Sequence, residues 1–430
     1  MHNQPFRALA LLLFFCSVAA PGLAQRTLLH CGRVFDPETG KLAANQTLVI
    51  EGNRIVERSA GYAAGEEGDR VVDLREHTVL PGFIDMHVHI EGQSSPDNYI
   101  KRFTMNPADI AYEAAGYAET TLMAGFTTVR DLGGSGVNIA LRNAIRKGLT
   151  PGPRIFTCGK SIASTGGHAD PTSGRRWDEM GDPGPAEGVV NSPEDGRKAV
   201  RQRYKDGADV IKITATGGVL SMTRNGQNAQ FTVEEIRAIV ETAADYGMLT
   251  AAHAHGDEGM RRAVLAGIRT IEHGTLMSEA TMELMRENGT YLVPTISAGR
   301  EAMRLAEVPG YYPPVVAQKA REIGPQSQKT FALAYKKGVP IAFGTDAGVF
   351  PHGQNAGEFV YMAESGMPVA EALKSATVTN AGLLGMGAEL GQLQSGFLAD
   401  IVAVRGNPLE DVELLRQVAF VMKDGTVYKQ

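Results

Sequence analysis

His87 and His89 lie two apart in Pro81-Gly82-Phe83-Ile84-Asp85-Met86-His87-Val88-His89-Ile90-Glu91, an apolar run that reads as a buried strand. A strand alternates its side chains between two faces, so both imidazoles share one face and Met86, Val88 and Ile90 take the other. Two imidazoles so placed are half of a divalent-metal pocket. Groups of the same kind recur downstream. Lys212 stands between Ile211 and Ile213, where a charged side chain is costly unless neutralised or paired. His253 and His255 follow Ala251-Ala252, His273 follows Ile271-Glu272, and Asp346 follows Phe343-Gly344-Thr345. Each alone is weak evidence, because a strand-end His is commonly a packed residue and a strand-end Asp often caps the next helix. Their force depends on a fold that brings them together. His253 and His255 point to the same face, and His255 sits one pleat nearer the strand end. That favours His253 as a ligand and His255 as a residue facing substrate or solvent, with the reverse assignment left open.

The elements that would position these residues repeat. A helical stretch, a Gly and a short apolar strand recur with Gly125 before 126–130, Gly152 before 154–157, Gly207 before 209–213, Gly247 before 249–253, Gly267 before 269–273, Gly289 before 291–294 and Gly338 before 340–343. A left-handed Gly ending each helix accounts for the spacing. With the strand at 84–89 the count is eight, which predicts an α/β chain folded as a closed (β/α)8 TIM barrel over 81–395, with a doubly wound open sheet as the alternative. In such a barrel the C-terminal strand ends carry the chemistry. The flanks, 25–80 and 396–430, carry short alternating strands and turns, including the hairpin turn at Asp424-Gly425, and predict one small β-sandwich built from both chain ends.

The chain of 430 residues is long enough for these two parts, and 42 basic against 48 acidic residues with no basic run argues against nucleic acid or an anionic membrane as partner. Residues 1–24 read as a secretory signal: His2 and Arg7, an apolar run over 8–20, then Pro21-Gly22-Leu23-Ala24. The expected mature protein is therefore exported, periplasmic or secreted, with no membrane attachment once the signal is cleaved. Cys31 and Cys158 then remain, and an oxidising compartment would permit one disulfide between them.

These motifs, together with Lys212-Ile213-Thr214-Ala215-Thr216-Gly217-Gly218-Val219-Leu220-Ser221 and His253-Ala254-His255-Gly256, resemble the amidohydrolase superfamily of metal-dependent hydrolases over nearly the whole mature chain. Within it they are most similar to the Xaa-Pro dipeptidase, acyl-amino-acid carboxypeptidase and ochratoxin-hydrolysing group. The resemblance implies two divalent ions. His87, His89 and Asp346 would hold the buried ion, His253 and His273 the more exposed one, and a CO2-derived carbamate on Lys212 would bridge them. Zinc is the expected metal, although manganese, cobalt and iron suit the same donors. A bridging water, its pKa lowered towards ~7, would act as nucleophile, and Asp346 as general base and then acid. His168, in Ser164-Thr165-Gly166-Gly167-His168, is a candidate donor to the oxyanion.

Two loops, 163–193 and 217–224, are expected to wall the site, with His255, Ser221 and Arg224 as substrate-binding candidates and Arg300 as a second candidate partner for a carboxylate. The implied substrate is an amide or peptide bond beside a C-terminal amino acid, in a dipeptide, an N-acyl amino acid or an ochratoxin-like amide. Related metal sites open lactones, cyclic amides or phosphotriesters, and a non-catalytic scaffold would have eroded ligands, whereas all six positions are present. A homo-oligomer is compatible with the sequence but not derivable from it.

Overall fold

Strand Phe83–Val88 is buried at every position, and the computed structural model, which describes residues 26–430, builds a barrel outward from it. The expected signal at 1–24 lies outside the described residues. Phe83–Val88 pairs in parallel with Phe126–Asp131, which pairs with Arg154–Thr157. Val210–Thr214, Leu249–Ala254, Thr270–His273 and Tyr291–Val293 form a second parallel set.

Irregular segments join the two sets. Ile162 bridges to Ile213, Leu292 to Ile341 and Val88 to Ala347. The eighth position is thus not a regular strand. Its amides and carbonyls nevertheless close the ring, with Met86 N–H donating to Phe343 O (3.0 Å) and Asp346 N–H to His87 O (2.7 Å). The result is a closed eight-membered barrel rather than an open doubly wound sheet.

Six of the seven glycines expected to be left-handed have positive φ, between 63° and 96°. Gly152 does not. A Cβ there would lie 2.5 Å from Ile145 Cδ1, so this Gly permits close packing rather than a left-handed turn.

Both chain ends enter one seven-stranded sheet, ordered Thr426–Lys429, Val418–Lys423, Ile401–Arg405, Arg70–Pro81, Thr27–Asp36, Lys41–Glu51, Arg54–Ala60. The sheet curls until the edge strand Arg54–Ala60 meets 396–398, where Ile55 N–H donates to Phe397 O at 2.9 Å. The two layers of the expected sandwich are therefore one curled sheet, closed around Leu29, Val34, Leu48, Ile55, Phe420 and Met422. Cys31 lies in this core and Cys158 in the barrel, both buried and free, so the permitted disulfide is not formed. Among the described residues no helix is long and apolar enough to cross a membrane.

Candidate metal centre and active site

The strand ends converge on one cavity of about 270 Å³ lined by His87, His89, His168, Lys212, His253, His255, His273 and Asp346. His87 Nε2 and His89 Nε2 lie 3.5 and 3.3 Å from Asp346 Oδ1. The ring of His273 is centred 5.1 Å from that of His87 and 4.7 Å from that of His253. His87, His89 and Asp346 offer ligand atoms all within 4.8 Å of one another, a candidate metal site. Two orphaned atoms fit an ion there: His87 Nε2 and Asp346 Oδ1 are buried and lack hydrogen-bond partners. The backbone is also strained at this point. His273, Thr295 and Asp346 have φ of 71°, 49° and 62°, conformations that cost energy in non-Gly residues and gather where function over-determines them.

The electrostatics suit cations. Burial, with the Lys212 charge as a second cause, pushes His89 down to about 4. Burial likewise drives His87, His253 and His273 well below the usual histidine value, leaving neutral rings with lone pairs. It lowers Lys212 as well, against the pull of Glu272. Burial raises Asp346 to about 8 despite Lys212.

His253 Nε2 is 3.0 Å from Gly217 O, so Nε2 carries the proton and Nδ1 is the lone-pair nitrogen. His255 Nδ1 is 2.9 Å from Thr275 Oγ1, and His273 Nδ1 is 2.7 Å from Thr295 Oγ1. The His255 ring packs face to face with that of His273 at 5.0 Å, so both members of the 253/255 pair lie at the mouth.

Several groups that hold this arrangement were not singled out from sequence. Glu272 Oε2 accepts from His87 Nδ1 at 3.0 Å, and its Oε1 from Arg130 at 2.8 Å. Arg130, wholly buried, also donates to Met86 O at 2.6 Å and Thr270 Oγ1 at 3.1 Å. Asp85 accepts from His87 N–H (3.1 Å), Thr345 N–H (3.0 Å), Thr345 Oγ1 (2.7 Å) and Asn355 Nδ2 (2.8 Å), stapling the first strand to the eighth position. A sequence signal existed: Arg130 and Glu272 are charges inside apolar strands, and Asp85 shares the face of His87 and His89.

Around the mouth, His168 stacks on His253 at 4.4 Å, and its buried Nδ1 lacks a partner. Gly218 lies against that ring, where a Cβ would come within 2.2 Å of it. Ser221 lines the cavity, its Oγ 2.7 Å from Thr223 Oγ1. Arg224 does not line the cavity; it is exposed, because the loop turns outward there. Arg300 is engaged elsewhere, bonded to Glu364 at 2.9 Å and stacked on Tyr361. Neither expected arginine faces the site.

A sequence profile of the amidohydrolase family matches residues 78–429. The chain is 32% identical over 437 aligned positions to ochratoxinase of Aspergillus niger, covering 96% of this chain and 88% of that protein. Its fold superposes on a crystal structure of a Xaa-Pro dipeptidase with bound methionine in the active site, with 50% identity and a TM-score of 0.92, over 94% of this chain and 100% of that one. A prolidase complexed with N-methylphosphonate-L-proline is 35% identical with a TM-score of 0.86, over 94% of this chain and 100% of that one. Family, fold and an apolar-walled mouth that gathers metal-type donors agree: this chain belongs to the amidohydrolase family and is a hydrolase of C–N bonds.

Proposed function

We propose that the chain is an exported binuclear amidase that cleaves the amide or peptide bond beside a C-terminal amino acid, in a dipeptide, an N-acyl amino acid or an ochratoxin-like amide. The observation that carries this reading is the single cavity shared by His87, His89, Lys212, His253, His273 and Asp346. The names of the similar proteins support the bond type, since they are an ochratoxinase, a Xaa-Pro dipeptidase with bound methionine and a prolidase with a proline phosphonate. His87, His89 and Asp346 would hold one ion, His253 through Nδ1 and His273 through Nε2 the other. Lys212 suits carbamate formation because burial favours its neutral amine, the form that adds to CO2 with loss of a proton. A carbamate there would replace a repelling cation with an anionic oxygen ligand.

Divalent ions bound there supply carbonyl polarisation and a reactive water at neutral pH. The chain's own residues do the rest. Asp346, whose carboxyl the adjacent cation charge would bring back into its ionised form, takes the water's proton and passes it to the leaving nitrogen. His168, held by the Gly218 contact and the His253 stack, donates to the oxygen that gains charge. Glu272 keeps His87 Nδ1 protonated and so keeps Nε2 facing Asp346. Val219, Leu220, Ala302 and Ile323 make an apolar wall for the substrate's side chain or acyl group, with Ser221 and His255 as its polar contacts.

The test is metal analysis of the purified enzyme, then turnover of a panel of dipeptides, N-acyl amino acids and lactones. Two ions per chain with turnover of the amides is the expected result. Turnover of lactones alone, or a single ion with full activity, refutes the reading.

A further inference from the structure

Outside the metal centre, a buried cation, Lys319, stands behind one wall of the cavity. It is 4% exposed, and its Nζ donates to three backbone carbonyls, Gly218 O at 2.7 Å, Ser221 O at 2.8 Å and Thr223 O at 2.8 Å. No carboxylate pairs with it among the described residues. An ammonium has three protons, so each carbonyl takes one.

All three acceptors belong to the loop 217–224, which supplies Val219, Leu220, Ser221 and Met222 to the cavity wall. Lys319 itself lies on the helix Pro314–Ile323, whose Ala320 and Ile323 line the same cavity. The loop returns against that helix at Gly226, where a Cβ would sit 2.8 Å from Ile323 Cδ1. No regular ladder holds the loop: beyond the bridge of Thr216 to Ala229, Gly217 N–H donates to Asn228 O at 3.1 Å, and the Tyr99 hydroxyl donates to Leu220 O at 2.9 Å. A segment so placed opens at low cost unless side chains tie it down.

We propose that Lys319 is a positioning residue that latches the 217–224 loop onto the Pro314–Ile323 helix and thereby determines affinity for the apolar part of the substrate. It touches no reacting atom. Its influence runs through the apolar wall that Val219, Leu220 and Met222 present to the cavity. The kinetic part of this inference rests on the amidase reading; the structural part does not.

Two independent measurements on the full-length enzyme test it. The first is limited trypsinolysis read by mass spectrometry at the Arg224-Asn225 bond, which needs no substrate. Lys319→Met removes all three donors and is expected to speed this cut ~10-fold or more, the effect of losing even one charge-assisted hydrogen bond from the closed state. Lys319→Arg keeps the charge and some donors, and is expected to slow the cut again towards the wild-type rate. The second measurement compares KM and kcat for an amide with a bulky apolar side chain and for its glycine analogue. Lys319→Met should raise KM ~10-fold for the bulky substrate, with little change for the glycine analogue and unchanged metal content.

An unaltered cut rate in Lys319→Met overturns the latch. Should that variant not fold, hydrogen exchange over 217–226 in Lys319→Gln, which removes the charge but keeps a polar side chain of similar length, replaces it, and exchange identical to wild type at every amide overturns the proposal. A wild-type enzyme without amide turnover refutes the proposed function alone and leaves the proteolysis result to decide the latch.

Discussion

Replacing Arg130 with Met separates the support of the metal centre from the stability of the barrel. Arg130 and Glu272 are both wholly buried, 2.8 Å apart, and Glu272 passes the constraint to His87 at 3.0 Å. Removing the guanidinium strands a buried carboxylate, and breaking such a pair costs ~3–5 kcal/mol. Met86 O and Thr270 Oγ1 also lose their donor. For a chain of 430 residues, with an unfolding entropy of ~2.1 cal/mol/K per residue, a loss of ~4 kcal/mol lowers the melting temperature of the metal-free protein by ~4 °C.

The double variant Arg130→Met with Glu272→Leu removes both charges and is expected to recover most of that stability, because an apolar pair of similar volume is often neutral. It does not restore the hydrogen bond to His87 Nδ1. Metal affinity in the double variant should therefore stay ~10–100-fold weaker than wild type, the usual effect of losing an outer-shell partner. Calorimetry or urea unfolding of the metal-free forms, paired with chelator competition, reads the two quantities separately. A double variant that binds metal as tightly as wild type would falsify the claim that Glu272 orients His87.

Gly218→Ala should displace His168, since the new methyl would lie 2.2 Å from its ring; kcat is expected to fall ~100-fold with metal content retained, measured by steady-state kinetics and metal analysis. Chelation should abolish activity, and reactivation by zinc should be faster with added bicarbonate in wild type; Lys212→Ala should show no such bicarbonate dependence. Burial raises the Asp131 carboxyl to about 7. A raised carboxyl pKa means that the native state binds the extra proton, so its contribution to stability is full below the unfolded value of ~3.9 and is lost as pH rises through about 7. Wild type should therefore lose a few kcal/mol relative to Asp131→Asn between pH ~4 and ~7, at up to ~1.4 kcal/mol per unit, as read by urea midpoints. N-terminal sequencing of protein recovered from the periplasm or medium should begin at Gln25.

Local pattern was enough to read the seven regular barrel strands and to place the eighth, irregular position, because burial on one or both faces of a strand writes a short-range periodicity into the chain. The same parity puts His87 and His89 on one face, and the register of Lys212, His253, His273 and Asp346 with the strand ends follows from the repeat. Residues whose role depends on partners far along the chain were not legible in this way. Arg130 meets a carboxylate 142 positions away, Asp85 meets Thr345 across 260, and Lys319 meets the loop carbonyls across roughly a hundred. Only the closed ring brings such groups within hydrogen-bond reach. The same applies to Arg224 and Arg300, whose charge matched an expected carboxylate but whose side chains the fold directs elsewhere, and to Cys31 and Cys158, which it buries in different cores. Sequence by itself determined which elements form and which face each donor takes, since that is set by neighbours two to four residues apart. Tertiary structure alone decided which nitrogen of His87 and of His253 carries its proton, and that neither expected arginine faces the cavity that both loops help to wall, because those depend on the distant groups that closure of the barrel delivers.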